Sequence, residues 1–354
     1  MCITEYHKKL FGVALDAADD PWSLQLKQAW IAADTSQFDS LTACPDPYEA
    51  VVDGMADVLA EHGIEPAGRV EIPTWLQPKP SPDDLPRVTV ENMSRFFDSG
   101  ELLGITEHVR AFVTEHVLPE IPIMVGIDHA ATAGVVSALT DTQSPNDLAV
   151  IVLDQHFDAI SLSARLDRLS RISPESTAGA PVGYSDSFCC GNFWAHLMNN
   201  GTIRPENLVF IGTGDYPGDE HHGDTDAYVK TYLDFEKRGC RFFPLERFRG
   251  DYREALEAFL RDSIRAPRVY VSLDIDVGSY NGTYAARYMD RPGLDADQIL
   301  GVARAIVDEC RLGTFTIAGL DIMEFNMHFL GITAPDGNRD RTLDFVAEYL
   351  KILT

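Results

Sequence analysis

The sequence lacks a hydrophobic run that could cross a membrane. Its 354 residues contain no apolar stretch close to the roughly 20 residues that a membrane-spanning helix needs. Residues 1–5 also lack the basic segment and the following apolar stretch of an export signal. We therefore expect a cytoplasmic protein without a membrane partner.

Basic residues are scarce. There are 29 Lys and Arg against 55 Asp and Glu, which gives a net charge of −26. A chain this acidic is repelled by the phosphates of nucleic acids and by anionic lipids, so we expect no nucleic-acid partner. The charge is consistent either with a pocket that binds cations or simply with a well-solvated acidic surface.

Cysteine is sparse as well. The six cysteines form neither a CxxC metal-binding motif nor a dense disulfide framework, so we expect reduced thiols. The 26 Gly and 20 Pro recur without a period, which excludes collagen-like and low-complexity structure. The remaining composition, with 45% hydrophobic residues, is that of a globular protein with one large core or at most two smaller ones.

Short apolar segments alternate with longer amphipathic ones, a pattern that predicts a doubly wound α/β domain with a largely parallel sheet. The predicted strands are 10–15, 121–125, 148–153, 208–212, 269–273 and 314–322. The predicted helices are 47–62, 90–116, 130–139, 252–264, 296–309 and 341–353. The Pro-rich segment 73–86 is too short to separate domains, so we predict a single domain, 1–354, with a surface loop at 73–86.

Carboxylates and imidazoles follow directly on three of these strands, and a glutamate follows a fourth. In open parallel sheets the carboxyl ends of the strands form the edge where ligands bind. Residues two apart in extended backbone point the same way, so the side chains of each segment share a face. The residues are Asp128 and His129, then Asp154, His156 and Asp158, then Asp274 and Asp276, and finally Glu324.

Four carboxylates and two imidazoles gathered at one point predict a site for two divalent cations. Without cations the carboxylates would repel one another and pay a desolvation cost. Oxygen-rich sites with some imidazole suit Mn²⁺ and related ions, and two such ions can activate a shared water for hydrolysis. The predicted ligands are His129, Asp154, His156, Asp158, Asp274 and Asp276.

Four segments resemble motifs of the ureohydrolases, the family of arginase and agmatinase. Residues 126–129 resemble the pattern GGDH, 154–158 resemble DAHxD, 272–276 match SxDxD, and 319–326 are very similar to GLDIMEVN. The resemblance extends from about residue 121 to the end of the chain. It implies a three-layer α/β/α fold with a mainly parallel sheet, which the family shares with the histone deacetylases.

The resemblance also implies roles for these residues. One Mn²⁺ would be bound by His129, Asp154, Asp158 and Asp274, and the other by Asp154, His156, Asp274 and Asp276. A hydroxide bridging the two ions would attack the central carbon of a guanidino or amidino group and release urea (or an amide) and an amine. Asp158 would orient that hydroxide, and Glu324 would pair with the substrate. Ni²⁺ is the alternative metal, and a homotrimer or homohexamer is expected.

Three departures from the family pattern concern the substrate. Ile160 stands where arginases carry an asparagine that contacts the amino-acid part of the substrate. In the altered loop 278–289, Arg287 and Tyr288 either contact the substrate, with Arg287 pairing a carboxylate, or belong to a surface or subunit contact. Cys190 occupies the place of the agmatinase proton-shuttle histidine.

Other residues and functions remain open at this point. Asn192, two residues after Cys190, is a further candidate substrate contact. The shuttle could instead be His196, His221 or His222. A family member with reduced catalysis, acting as a metal-dependent binding or regulatory subunit, is the main alternative function, and a deacetylase-like amide hydrolase is a weaker one.

Overall fold

Parallel strands form the centre of the molecule. The computed structural model describes residues 7–18, 21–32, 46–142, 144–164, 186–217, 226–333 and 339–354. In this part of the chain eight parallel strands form one sheet in the order β2-β1-β3-β8-β7-β4-β5-β6. The strands are β1 Lys8–Val13, β2 Ile64–Arg69, β3 Ile121–Gly126, β4 Leu148–Leu153, β5 Leu208–Ile211, β6 Arg241–Phe243, β7 Arg268–Asp274 and β8 Thr316–Met323.

Helices cover both faces of this sheet. Side chains alternate along each strand, so Val269 and Val271 of β7 enter one hydrophobic core while Tyr270 enters the other. The helices are Pro21–Ala32, Pro47–Gly54, Ala56–Glu61, Val90–Asp98, Glu101–Phe112, Thr132–Asp141, Phe193–Asn199, Ala227–Lys237, Arg253–Ser263, Ala296–Arg311 and Thr342–Leu353. The predicted three-layer α/β/α architecture is therefore confirmed.

Some predicted boundaries differ from the observed ones. The predicted helix 90–116 is divided between Val90–Asp98 and Glu101–Phe112, because Gly100 adopts a left-handed backbone with φ of 79°. The predicted helix 47–62 is likewise two helices, which meet at Met55. Neither difference moves the strand ends that carry the predicted ligands.

The Pro-rich segment packs against the body of the protein. It forms the short 3₁₀ helices Thr74–Leu76 and Pro82–Arg87, and it buries Trp75 and Leu76. Trp75 packs edge-on against Phe96, with 5.7 Å between ring centroids. The assignment of residues 1–354 to one domain remains a prediction.

In the described residues, none of the helices combines the length and the apolar character required to traverse a lipid bilayer.

Candidate metal centre

The predicted ligands meet at the carboxyl edge of the four central strands. Strands β3, β8, β7 and β4 are neighbours in the sheet, so the segments that follow them lie side by side. His129 follows β3, Asp274 ends β7, and Glu324 follows β8. The segment containing Asp154, His156 and Asp158 follows β4. The sequence thus delivers each side chain to this edge directly from a buried strand.

The first ligand group surrounds one nitrogen of His129. Nδ1 of His129 lies 3.2 Å from Oδ2 of Asp158 and 3.2 Å from Oδ2 of Asp274. It also lies 3.4 Å from Oδ2 of Asp154. All four residues are buried, and their ligand atoms lie within 4.8 Å of one another. This group has the composition predicted for one of the two ions.

The second ligand group consists of Asp154, His156 and Asp276, whose ligand atoms also lie within 4.8 Å of one another. Nδ1 of His156 lies 2.8 Å from Oδ2 of Asp276 and 3.8 Å from Oδ1 of Asp154. Asp154 belongs to both groups, as expected of a residue that bridges two ions. Asp274, predicted to bridge as well, lies in the first group, and its contribution to the second remains a prediction.

The electrostatics of the cluster favour cations. Burial raises the pKa of Asp154 to about 8, and repulsion from Asp158 and Asp276 adds to this effect. Burial by itself lowers the pKa of His129, but hydrogen bonds to the surrounding carboxylates outweigh it and raise that pKa well above its usual value. Within the described residues, Oδ2 of Asp154 is buried without a hydrogen-bond partner. These residues therefore fit a pair of divalent ions, which would supply the missing charge and the missing contact.

A buried network behind His129 fixes its orientation. Nε2 of His129 hydrogen-bonds with the hydroxyl of Ser272 at 2.9 Å, and this hydroxyl donates to Oδ1 of Asp321 at 2.8 Å. Thr132 and Tyr270 donate to Oδ2 of Asp321 at 2.7 and 2.8 Å. Such outer contacts orient a ligating imidazole and leave Nδ1 for the ion. Sequence reasoning assigned no role to Asp321, although it lies within the segment 319–326.

Glu324 lies beside the ligands and is held by its neighbours. Oε1 of Glu324 accepts a hydrogen bond from the backbone N–H of His129 at 3.1 Å. Burial raises the pKa of Glu324 to about 8, although the positive charge of Arg287 opposes this shift.

Asp158, Tyr288 and Glu324 have φ values of 49°, 50° and 68°, a conformation that costs energy in residues other than glycine. Backbone strain is thus concentrated in residues around the candidate site.

A cavity of about 410 Å³ opens onto the cluster. Its lining includes His156, Asp158 and Glu324 together with Cys190 and Tyr288 from the predicted substrate segments. Burial raises the pKa of the Cys190 thiol well above its ordinary value, and nearby carboxylates, Asp128 among them, reinforce this effect. Ile160 lines it as well, so the cavity places residues from all three departures from the family pattern next to the predicted metal ligands. Apolar side chains form much of the remaining wall: Ala17, Phe97, Ile160, Leu162 and Met289.

Two predicted substrate residues lie outside this lining. The Asn192 side chain accepts from the backbone N–H of Cys189 at 3.0 Å and donates to the carbonyl of Ser187 at 2.8 Å, so it holds its own loop together. Arg287 is buried beside Glu324, with its Nε 3.7 Å from Oε2 of that residue. Neither residue therefore occupies the position of a direct cavity contact.

The candidates for the proton shuttle differ in where they lie. His196 packs edge-on against Phe188 rather than in the cavity lining. His221 and His222 lie outside the described residues. Of the candidates within the described residues, Cys190 is the one that lines the cavity.

Comparison with known proteins establishes the family. The sequence model described as "Arginase family" matches residues 55–334. The chain belongs to the arginase family. Arginase from Staphylococcus aureus (strain MRSA252) is 27% identical over 191 residues, which are 52% of this chain and 55% of that protein. The chain thus spans about half the length of the curated relatives it matches.

Solved structures of arginase-family proteins share the fold. An arginase from Bacillus cereus has a TM-score of 0.61 at 14% identity, covering 98% of each chain. The agmatine ureohydrolase of Thermoplasma volcanium has a TM-score of 0.53 at 15% identity, covering 100% of this chain and 90% of that one. At these identities the similarity establishes the fold alone. Arginase-family proteins typically depend on two metal ions, and the cluster at the sheet edge is the candidate site for them.

Proposed function

We propose that the protein is a binuclear-metal hydrolase that cleaves a C–N bond of a guanidino or amidino compound and releases urea (or an amide) and an amine. The observation that carries this proposal is the pair of ligand groups that share Asp154 beside the cavity. Arginase-family membership supports the hydrolytic class. Mn²⁺ is the proposed metal and Ni²⁺ the alternative, because carboxylate and imidazole ligands suit both ions better than they suit soft metals.

The metal ions would be bound by the six predicted ligands: His129, Asp154, His156, Asp158, Asp274 and Asp276. Two such ions lower the pKa of water and polarise the electrophilic carbon. Asp158 lies both in the ligand set and in the cavity lining, where its carboxylate would orient the attacking water. A substrate packed against the apolar wall of the cavity would displace water, which would strengthen its charged contacts.

The remaining cavity residues would act on the amidino group and on the leaving amine. With the cations bound, Glu324 would be ionised although its pKa is raised in the metal-free protein, and its carboxylate would accept an N–H of the amidinium. The thiol of Cys190 carries a proton at neutral pH, since its pKa is raised. It lies in the lining and would pass that proton to the leaving amine, and the thiolate would take up the proton released by the attacking water.

A substrate screen combined with metal analysis tests the proposal. We expect the Mn²⁺-loaded protein to bind two ions per chain and to release urea, or an amide, together with an amine from at least one member of a panel of guanidino and amidino compounds. Asp276→Ala should lose one of the two ions and most of the turnover, because Asp276 lies in the second ligand group. The exposed substitution Asp262→Ala serves as the control and should change neither.

Two outcomes would contradict the proposal. Failure to bind two ions would remove its physical basis. Binding of two ions without turnover of any panel compound would instead favour a metal-dependent binding or regulatory subunit.

The proposal also covers the location, the oligomeric state and the partners of the enzyme. We propose a cytoplasmic homotrimer or homohexamer that takes small molecules and has no nucleic-acid or membrane partner. The net charge of −26 supports the exclusion of polyanions. Sedimentation of the metal-loaded protein tests the oligomeric state.

A further inference from the structure

The altered loop 278–289 brings the guanidinium of Arg287 next to Glu324, the carboxylate proposed to bind the substrate. The backbone N–H of Arg287 donates to the carbonyl of Glu324 at 2.9 Å, and an isolated bridge joins Ala286 to Phe325. Nε of Arg287 lies 3.7 Å from Oε2 of Glu324. Main-chain and side-chain contacts thus hold these two residues together. Arg287 carries the same chemical group that the proposed function assigns to the substrate.

The charge of Arg287 is balanced inside the protein. Nη2 of Arg287 lies 3.7 Å from Oδ1 of Asp16, and Asp16 is in turn 3.0 Å from Nζ of the buried Lys27. Nη2 also donates to the hydroxyl of Tyr288 at 3.0 Å. The guanidinium is only 7% exposed and lies between the carboxylates of Asp16 and Glu324. An anionic substrate would have to compete with both carboxylates for it.

Both oxygens of Glu324 are in contact with the protein. Oε1 accepts from the backbone N–H of His129, and the buried Oε2 faces Arg287. A terminal guanidinium binds a carboxylate most strongly through two parallel N–H bonds, one to each oxygen. That arrangement requires both oxygens to be accessible from the cavity, whereas Arg287 covers one of them.

We propose that Arg287 is a specificity-determining residue that prevents two-point pairing of a substrate guanidinium with Glu324. This inference rests on the proposed function. The substrate would then be a compact guanidine or amidine that makes one contact with Glu324 and places an uncharged tail against the apolar wall. Among the described residues that line the cavity there is no Lys or Arg to bind a carboxylate tail.

This role differs from the substrate contact expected of Arg287 from the sequence, and one binding experiment separates the two. We would measure the affinity of the metal-loaded protein for guanidinium chloride, below denaturing concentrations, and for 4-guanidinobutyrate by calorimetry. For Arg287→Gln we expect guanidinium to bind about ten- to a hundredfold more tightly, as one additional charge-assisted contact would give. The affinity for 4-guanidinobutyrate should rise by a similar factor, and the metal content should not change.

Two further variants complete the design. Arg287→Lys keeps the charge but cannot contact both carboxylates, so it should show a smaller gain in guanidinium affinity, and it serves if the glutamine variant does not fold. Arg291→Gln is the matched control, four residues further along the chain. Its side chain bonds to the carbonyl of Gly214 and to Asp290, not to Glu324. We expect Arg291→Gln to bind guanidinium as the parent does.

Unchanged or weaker guanidinium binding in a folded, metal-loaded Arg287→Gln would overturn the inference. A selective loss of 4-guanidinobutyrate binding would also overturn it and would assign Arg287 to a substrate carboxylate. The proposed function can fail separately. If no variant hydrolyses any compound but Arg287→Gln binds guanidinium more tightly, the hydrolase proposal is wrong, whereas the effect of Arg287 on guanidinium binding at Glu324 stands.

Discussion

At the scale of single residues, the orientation of His129 depends on Asp321. Asp321 is fully buried and accepts hydrogen bonds from three hydroxyl groups, those of Thr132, Tyr270 and Ser272. Asp321→Asn replaces one acceptor oxygen with an amide NH₂ group, a donor that would face hydroxyl donors. We expect metal affinity to fall by about tenfold or more. The free energy of unfolding should fall by roughly 1–3 kcal/mol.

Metal titration followed by calorimetry measures the first effect, and urea unfolding of the metal-free protein measures the second. Asp262→Asn makes the same chemical change at an exposed position and should be neutral. Parent-like metal affinity in Asp321→Asn would show that this network does not support the ligand.

Single residues also show where sequence reasoning reaches its limit. His129, Asp154 and Asp274 were predictable as a cluster because each follows a recognisable apolar strand. The contacts of Arg287 with Asp16 and Glu324 join positions far apart in the chain, and no local pattern indicates which partner a buried arginine will choose. The loop 278–289 could therefore be identified as altered, but its contact with Glu324 could not be predicted.

At the scale of elements, the helix Thr132–Asp141 packs unusually close to the helix Glu101–Phe112. A Cβ atom added at Gly134 would meet the backbone oxygen of Thr106 and would lie 2.6 Å from Cβ of Val109. Backbone cannot yield as a side-chain tip does, so Gly134→Ala must separate the two helices. We expect it to lower the free energy of unfolding by roughly 1–3 kcal/mol, as overpacking of a core does.

Thermal and urea unfolding test this effect, and the facing helix supplies the control. An added Cβ at Gly104 would meet nothing within 4 Å. Gly104→Ala should therefore be neutral or stabilising by up to about 1 kcal/mol, the difference in helix propensity. Equal effects of the two substitutions would contradict the close packing at Gly134.

Two strands were missed by sequence reasoning for physical reasons. The central strands are buried on both faces and appear as apolar runs, which is why β3, β4, β7 and β8 could be predicted. Strand β2 contains Glu65, Pro66 and Arg69 and is mostly exposed, and β6 has only three residues. Both lie at the edges of the sheet. Strand β2 lacks an apolar pattern there, whereas β6 buries Phe242 and Phe243 but is too short to be recognised as a strand.

At the scale of the whole molecule, the acidic composition has two physically different parts. Most of the acidic residues in the described part of the chain are at least partly exposed to solvent. Those at the carboxyl edge of the sheet are desolvated, and their repulsion is a cost of folding that cations would remove. Net charge alone could not separate these parts. The positions of Asp154 and Asp274 at strand ends could distinguish them, because they indicated which carboxylates would be buried together.

This cost predicts how stability depends on pH. Burial raises the pKa of Asp154 from 3.8 and that of Glu324 from 4.5, in both cases to about 8. Between the unfolded and folded pKa values the folded protein holds more protons than the unfolded chain, so stability falls as pH rises through this interval. Asp290 titrates below this pH interval. Partial burial raises its pKa, but His156 outweighs this effect and the pKa is lowered to about 2.

We therefore expect the melting temperature of the metal-free protein to fall from about pH 5 to about pH 8, and the stabilisation by added Mn²⁺ to grow over the same interval. Thermal unfolding in EDTA and in Mn²⁺ measures both quantities. Asp154→Asn removes one of the carboxyl groups with a raised pKa and should flatten the pH dependence of the metal-free protein, whereas Asp262→Asn should leave it unchanged. A metal-free melting temperature that rises across the interval would mean that the buried carboxylates are already charged and compensated within the fold, and the electrostatic case for two cations at this edge would fail.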